Sequence, residues 1–266
     1  ADKINTFATF ANSYKPVGIN LGGIPSDANG PIIALAKIKP EKVNHYEIGI
    51  KSTPFNSTTV NLTVFNTDID NYQTLVQSED PTLNRGYLAN AEKVRVKGIE
   101  VEGSLRASSH FAFNGALSYT VGNYVSFKNA PVPLEETGGA SAFKDVSGGD
   151  LPGISKWSGS LGGEYNTSGN FLDLKGNYFI ALDSYARSTF SSSASPSQYL
   201  NIEGYALLNA RVGFRAANGL SVLIWGRNVL NKDYFEQLLP AAGNAGHYSA
   251  VLGDPSTYGI TLKYTL

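Results

Sequence analysis

Tyr258-Gly259-Ile260-Thr261-Leu262-Lys263-Tyr264-Thr265-Leu266, the end of the chain, alternates without a break. Tyr258, Ile260, Leu262, Tyr264 and Leu266 fall on one face; Gly259, Thr261, Lys263 and Thr265 fall on the other. Period two with one wholly apolar face describes a strand whose two sides meet different surroundings. The pattern recurs upstream. Tyr46, Ile48 and Ile50 oppose His45, Glu47, Gly49 and Lys51, and Ala206, Leu208, Ala210, Val212 and Phe214 oppose Asn209, Arg211 and Arg215. Leu172, Leu174, Tyr178, Ile180 and Leu182 likewise oppose Asp173, Lys175, Asn177 and Asp183.

Ten such segments are expected, over 4–15, 41–52, 58–71, 90–106, 111–126, 155–166, 170–185, 203–216, 219–228 and 257–266. Many exceed the ~5–6 residues of a globular strand and reach the ~9–11 that a tilted membrane strand needs. Four connections read as tight turns: Thr53 to Ser57, Ala107 to His110, Asn166 to Gly169, and Ala216 to Asn218 before Gly219. Five are long and rich in Gly, Pro, Ser and Asn, around 16–40, 72–89, 127–154, 186–202 and 229–256. Short and long alternate, which is the asymmetry of an outer-membrane barrel with its turns on the periplasmic side. A soluble β-sandwich is the alternative, since it too alternates apolar and polar residues. Segment 90–106 departs from the pattern, because Arg95 and Lys97 share the face of Ile99, Val101 and Leu105. Either a bulge near Gly98 resets the register, or the two cations stand above the hydrocarbon among headgroups.

Composition narrows the function. The 266 residues carry 21 Lys+Arg and 22 Asp+Glu, a net charge of −1, so the basic footprint of a nucleic-acid binder is missing. Without cysteine there is no disulfide scaffold, thiol catalysis or Cys-ligated zinc. No run of ~18 apolar residues suggests a membrane-spanning helix. A mean hydropathy of −0.15 suits a barrel whose strands wet one face. The first residues do not read as a signal peptide, and the absence of methionine points to a processed chain or a piece of a longer one.

No catalytic constellation, metal set or cofactor cradle is expected. His45 and His110 read as a polar strand residue and a turn residue, while His247 lies in a long loop where a ligand could reach it. Gly138-Gly139 and Gly148-Gly149 lack the strand, helix and Lys of a phosphate loop. Glu47, Glu100 and Glu102 belong to the polar face and would line a lumen, with Arg211, Arg215 and Arg227 as candidate complementary cations. Trp157, Tyr165, Tyr178, Tyr258 and Tyr264 fall on apolar faces, as an aromatic belt would. Tyr185, Phe190, Tyr199, His247 and Tyr248 are the candidate ligand-binding residues of the long loops.

Several stretches resemble TonB-dependent outer-membrane receptors. They are Tyr14-Lys15-Pro16-Val17-Gly18-Ile19-Asn20-Leu21, Lys39-Pro40-Glu41-Lys42-Val43 with Tyr46-Glu47-Ile48-Gly49-Ile50-Lys51, and Asn90-Ala91 with Val96-Lys97-Gly98-Ile99-Glu100-Val101-Glu102. Leu151-Pro152-Gly153 before Trp157, Gly226-Arg227-Asn228-Val229-Leu230-Asn231-Lys232-Asp233-Tyr234-Phe235 and the final strand are similar too. The resemblance implies that residues 1–266 are barrel, the last ten strands of an antiparallel transmembrane barrel of roughly 22 with a plugged lumen. It further implies binding of a small-molecule nutrient, commonly a ferric siderophore, and import driven by TonB through an N-terminal plug. Its expected surroundings are the lipid of a Gram-negative outer membrane. Gly259, Leu262, Tyr264 and Leu266 would be the signal for the barrel-assembly machinery, although the family usually ends in an aromatic residue. Without plug or first strands the chain alone should not transport, and it would close into a smaller barrel or aggregate. An outer-membrane protease of ten strands and a passive pore or adhesin are the rival functions.

Overall fold

The computed structural model describes residues 3–20, 26–27, 29–33, 36–77, 86–141, 143–241 and 246–265. Ten strands form one sheet: β1 (Ile4–Lys15), β2 (Glu41–Ser52), β3 (Thr58–Gln77), β4 (Gly86–Arg106), β5 (Phe111–Ser126), β6 (Trp157–Phe171), β7 (Leu174–Arg187), β8 (Tyr205–Ala216), β9 (Leu220–Arg227) and β10 (Thr257–Tyr264). Each pairs antiparallel with its neighbours in chain order, so every connection is a hairpin. β1 and β10 are the two edges of this open sheet.

Residues opposite one another across a ladder share a face, so the register assigns every side chain. Ile48, Val64, Ile99, Tyr119 and Trp157 form one continuous row, and Gly49, Thr63, Glu100, Ser118 and Ser158 form the adjacent row on the other face. The apolar face is open to its surroundings: Leu161, Ile180, Leu182, Val212, Ile224 and Ile260 are all exposed. Aromatic rings bound it at both ends. Phe10 with Tyr46, Tyr119 with Trp157, and Tyr258 stand toward the long loops. Phe111 with Tyr165, Tyr178 and Phe171 with Phe214, and Tyr264 stand toward the short turns. Trp157 and Tyr165 lie eight residues apart on β6, ~26 Å along the strand. That suits the apolar band of a tilted membrane strand.

Four aromatic residues of the polar face sit directly opposite a glycine. The pairs are Phe7 with Gly49, Phe65 with Gly98, Phe179 with Gly213, and Trp225 with Gly259. The ring covers the bare backbone that the glycine leaves, a device that shields a strand glycine while relaxing side-chain crowding on a curved wall. A Cβ at Gly259 would collide with the Trp225 indole, whose Nε1–H donates to Thr261 Oγ1 at 3.1 Å.

Three expectations change. The hairpin between β6 and β7 turns at Leu172-Asp173, both at positive φ (47° and 63°), and not at Asn166 to Gly169. Two consecutive left-handed residues are a type I′ turn, whose usual Asn-Gly marker is absent here. Leu172 therefore leaves the apolar row of β7, which begins at Leu174. The segment 72–89 is largely ladder: β3 runs to Gln77 and β4 starts at Gly86, paired from Tyr72↔Ala91 to Gln77↔Gly86. In β4 the register passes Gly98 without a break on both sides, and its shift lies between Lys93 and Val94. Arg95 and Lys97 thus stand on the apolar side, beyond Ile99. A buried cluster of Tyr87, Ala91, Val94, Tyr124, Phe127, Ala130 and Leu151 seals the loop end of β4 and β5.

Candidate ligand site at the loop end and along the polar face

Polar side chains along the inner register organise into two regions. On β6 to β8, Arg215 clasps Glu164 with two hydrogen bonds at 2.7 and 3.0 Å while its guanidinium lies 3.7 Å over the Phe179 ring. Arg211 meets Asp183 at 2.7 Å. On β2 to β5, Glu47 takes a contact from His45 at 3.2 Å and Glu102 accepts from Asn61 at 2.8 Å. Glu100 and Glu102 line a cleft of about 380 Å³ with Asn61, Thr63, Ser118 and Tyr185. The arginines considered as partners for these glutamates are therefore committed elsewhere, and Arg227 lies 5.4 Å over Trp225. Strand distance decides it, since β7 and β8 face their own neighbouring carboxylates first.

The long connections are tied to one another. Glu135, on the one-turn 3₁₀ segment Leu134–Glu136, accepts hydrogen bonds from Ser197 Oγ at 2.7 Å and from the Tyr248 hydroxyl. Three connections, 127–156, 188–204 and 228–256, thus meet at one carboxylate. Ser197 also caps its own short turn by accepting from Tyr199 N–H. Beside it opens a cleft of about 310 Å³ lined by Ser191, Ser193, Ser195, Ser197, Gln198, Asn201, Asp150 and Tyr124. The base of 228–256 is fastened by buried Asn228. Its side chain donates to Lys232 O and Asp254 O and accepts from Lys232 N–H, at 2.9 to 3.0 Å, from a left-handed backbone (φ 45°).

Of the five ligand candidates, Tyr199 and Tyr248 come together, with ring centroids 5.9 Å apart. His247 is exposed next to Tyr248. Tyr185 stands apart, on the polar wall with Glu100 and Glu102. Phe190 is buried beneath the Arg187 guanidinium, 3.5 Å from its ring, where Arg187 also binds Ser155 Oγ and Gly153 O. Leu266 lies outside the described residues. Sequence reading passed over Glu135 and the serines of 191–197. The run Ser191-Ser192-Ser193-Ala194-Ser195-Pro196-Ser197 was the available sign of a hydroxyl-rich surface.

Burial tends to raise the Glu135 pKa, but the hydrogen bonds from Tyr248 and Ser197 outweigh it and hold the carboxyl below its ordinary value. Burial, then the neighbouring Glu135, push the Tyr248 phenol up to about 12. A depressed carboxylate stabilises the fold above its unfolded pKa, and that contribution is lost as pH falls through the folded value. A raised phenol stabilises it below its unfolded pKa, and that contribution is lost as pH rises toward about 12. The clasp is therefore tightest between the two ranges. Limited proteolysis should cut 228–256 more readily outside that window, and Tyr248→Phe should raise the cleavage rate at neutral pH about fivefold, the worth of one hydrogen bond (~1 kcal/mol). Equal rates for both proteins across pH would refute the clasp.

Comparison with known proteins places this architecture. The chain superposes on the ferric yersiniabactin uptake receptor FyuA from Yersinia pestis with a TM-score of 0.74 at 16% identity, covering 99% of this chain and 35% of that one. For the copper transporter OprC the TM-score is 0.73 at 12% identity, covering 98% and 38%. For the ferric-catecholate import receptor Fiu from E. coli K12 it is 0.64 at 21%, covering 98% and 33%. The chain thus spans about a third of the length of these transport receptors, and at such identities the likeness is one of fold. The family model "TonB dependent receptor-like, beta-barrel" matches residues 1–229, most of the chain, and the protein therefore belongs to the TonB-dependent receptor β-barrel family.

Proposed function

We propose that these ten strands are the last ten of a closed, plugged barrel of roughly 22 strands in a Gram-negative outer membrane. In this reading the barrel captures a scarce nutrient, such as a ferric siderophore, and imports it with energy relayed by TonB. The observation that carries the reading is the division of the sheet: one face is apolar between two aromatic rows, and the other is polar and carries the ion pairs Arg211–Asp183 and Arg215–Glu164. Such a wall suits lipid outside and a wet, filled lumen inside. Glu47, Glu100, Glu102, Arg211 and Arg227 are its lumen-lining residues. The glutamates of β2 and β4 face cations of a plug. Tyr199, Tyr248 and His247, with the serines beside Ser197, form the outer seat for a ligand rich in oxygen donors, and Tyr185 lies deeper on its path. Gly259, Leu262, Tyr264 and Leu266 present the final strand to the assembly machinery.

The test is growth of a receptor-deleted strain on a panel of iron chelates, with the full-length gene restored as wild type or as Tyr199→Ala/Tyr248→Ala. Wild type should rescue growth on one chelate class, and the double variant should need about tenfold more of that chelate, roughly the loss of one good stacking contact. Rescue independent of TonB, or no rescue on any nutrient complex, overturns the proposal.

A further inference from the structure

The three connections that meet at Glu135 carry the wrong charge for an anion. Residues 127–156 hold three lysines against four carboxylates, 188–204 hold a single glutamate, and 228–256 hold one lysine against three carboxylates. Their formal sum is 4 − 8 = −4, in a chain whose total is only −1. The lysines of 127–156 are already engaged: Lys144 is paired with Glu136, Lys156 lies 3.5 Å from Asp150, and Lys128 attracts the Asp145 carboxylate. Lys232 stands at the base of 228–256, in a separate cleft with Glu203 and Asp233. None of the three connections contains an arginine, and those at their roots are occupied. Arg187 bonds Ser155 Oγ and Gly153 O over the Phe190 ring, and Arg227 lies over Trp225. Glu135 itself stays charged at neutral pH, because against the pull of burial the bonds from Tyr248 and Ser197 hold its pKa low.

The cleft beside Ser197 offers hydrogen bonds almost without charge. Asp150 is the one charged side chain among its described lining residues. The side-chain amides of Gln198 and Asn201 are exposed, and neither bonds to another group among the described residues. An amide presents donor and acceptor together, as hydroxyl and amide groups of a ligand require. Next to them the Tyr199 ring is 57% exposed and flanked by Tyr248, which makes an apolar platform. An anionic chelate placed here would lose water and gain no cation, a cost that neutral oxygens escape. We propose that this seat selects an uncharged ligand dense in hydroxyl or amide oxygens and rejects an anionic chelate. The acidic connections repel the anion on its approach, over a Debye length of ~8 Å at physiological salt, and the missing cations act at the seat itself. An uncharged metal chelate and a neutral oligosaccharide share this chemistry. The inference rests on the loop end being where the nutrient binds.

The test titrates the full-length receptor in detergent with three probes: an uncharged ferric trihydroxamate, maltoheptaose, and a trianionic ferric tris-catecholate. One of the two uncharged probes should bind at least about tenfold more tightly than the trianion at low salt. Which of them binds tells chelate from sugar. The gap should narrow as salt rises from ~0.05 to ~0.5 M, because screening removes the repulsion. Ser195→Lys/Gln198→Lys supplies the missing cations and should tighten the trianion about tenfold while leaving the uncharged probes no stronger. Asn56→Lys/Asn170→Lys adds the same charge at the short-turn end and should change neither. A wild type that binds the trianion as tightly as the uncharged probes keeps nutrient capture and loses the selectivity. So does a lysine variant whose preference is unaltered. A wild type that binds none of the three loses the capture reading itself, and the inference with it.

Discussion

Refolded alone into detergent or lipid, residues 1–266 should give heterogeneous oligomers on a semi-native gel and no discrete heat-modifiable monomer. The reason lies in the two edges. β1 offers 12 residues and β10 offers 8, and neither has a second partner strand. Each backbone group left unpaired in hydrocarbon costs several kcal/mol, so an open sheet of this kind cannot persist there. Self-closure would satisfy most of those groups, and the antiparallel sense of β1 and β10 permits it. Curvature opposes it. Over 99% of its length the chain follows the wall of a receptor nearly three times longer, and ten strands closing on themselves must bend far more sharply. The polar face would then compress where Arg215 already stacks on Phe179 and Trp225 already fills the space above Gly259. Edge-to-edge pairing between copies meets no such obstacle. A monomeric, heat-modifiable band with a single reproducible conductance would show that curvature is softer than this argument holds. Supplying the remaining barrel strands in the same chain should restore the discrete band.

The wall was legible in the sequence because alternation is a local property. Every β10 residue takes the face that period two assigns it, and the arrangement of Ala206 to Phe214 on β8 follows the same rule. Errors arose where backbone conformation departs from residue preference. Leucine rarely adopts positive φ, so Leu172 gave no sign that the chain turns there. The polar run at Asn166 to Gly169, which resembles a turn, instead completes β6. Loop contacts were not legible at all. Glu135 meets residues 62 and 113 positions away, and no periodicity carries information over such separations. For the same reason Phe190 looked available to a ligand, although Arg187 covers it. The partners of Arg211 and Arg215 were also hidden, because which carboxylate lies nearest depends on a register that composition does not state.

A single arginine at Leu161 should produce the largest loss of stability of any substitution on the apolar face of β6, and the loss should depend on depth. Leu161 is 63% exposed midway between Trp157 and Tyr165, which the proposed barrel puts at the bilayer midplane. Arginine at the midplane of an outer-membrane barrel costs ~2–4 kcal/mol, falling to ~0–1 near the interfaces. Leu161→Arg in the full-length receptor should therefore lower the unfolding free energy in vesicles by ~2–4 kcal/mol. Thr167→Arg keeps the same face six residues on, past Tyr165, and should cost ~1 kcal/mol or less. Ser160→Arg, one residue away on the polar face, should also be mild, since water and the neighbouring carboxylates of that wall meet the charge. The natural cations fit this gradient: Lys97 and Arg95 share the face of Leu161 but lie two and four residues to the loop side of the Ile99–Trp157 row. A β-sandwich would behave differently. Its inner face is uniformly excluded from solvent, so Leu161→Arg and Thr167→Arg would be comparably damaging. Equal costs at the two positions would contradict a bilayer around this sheet.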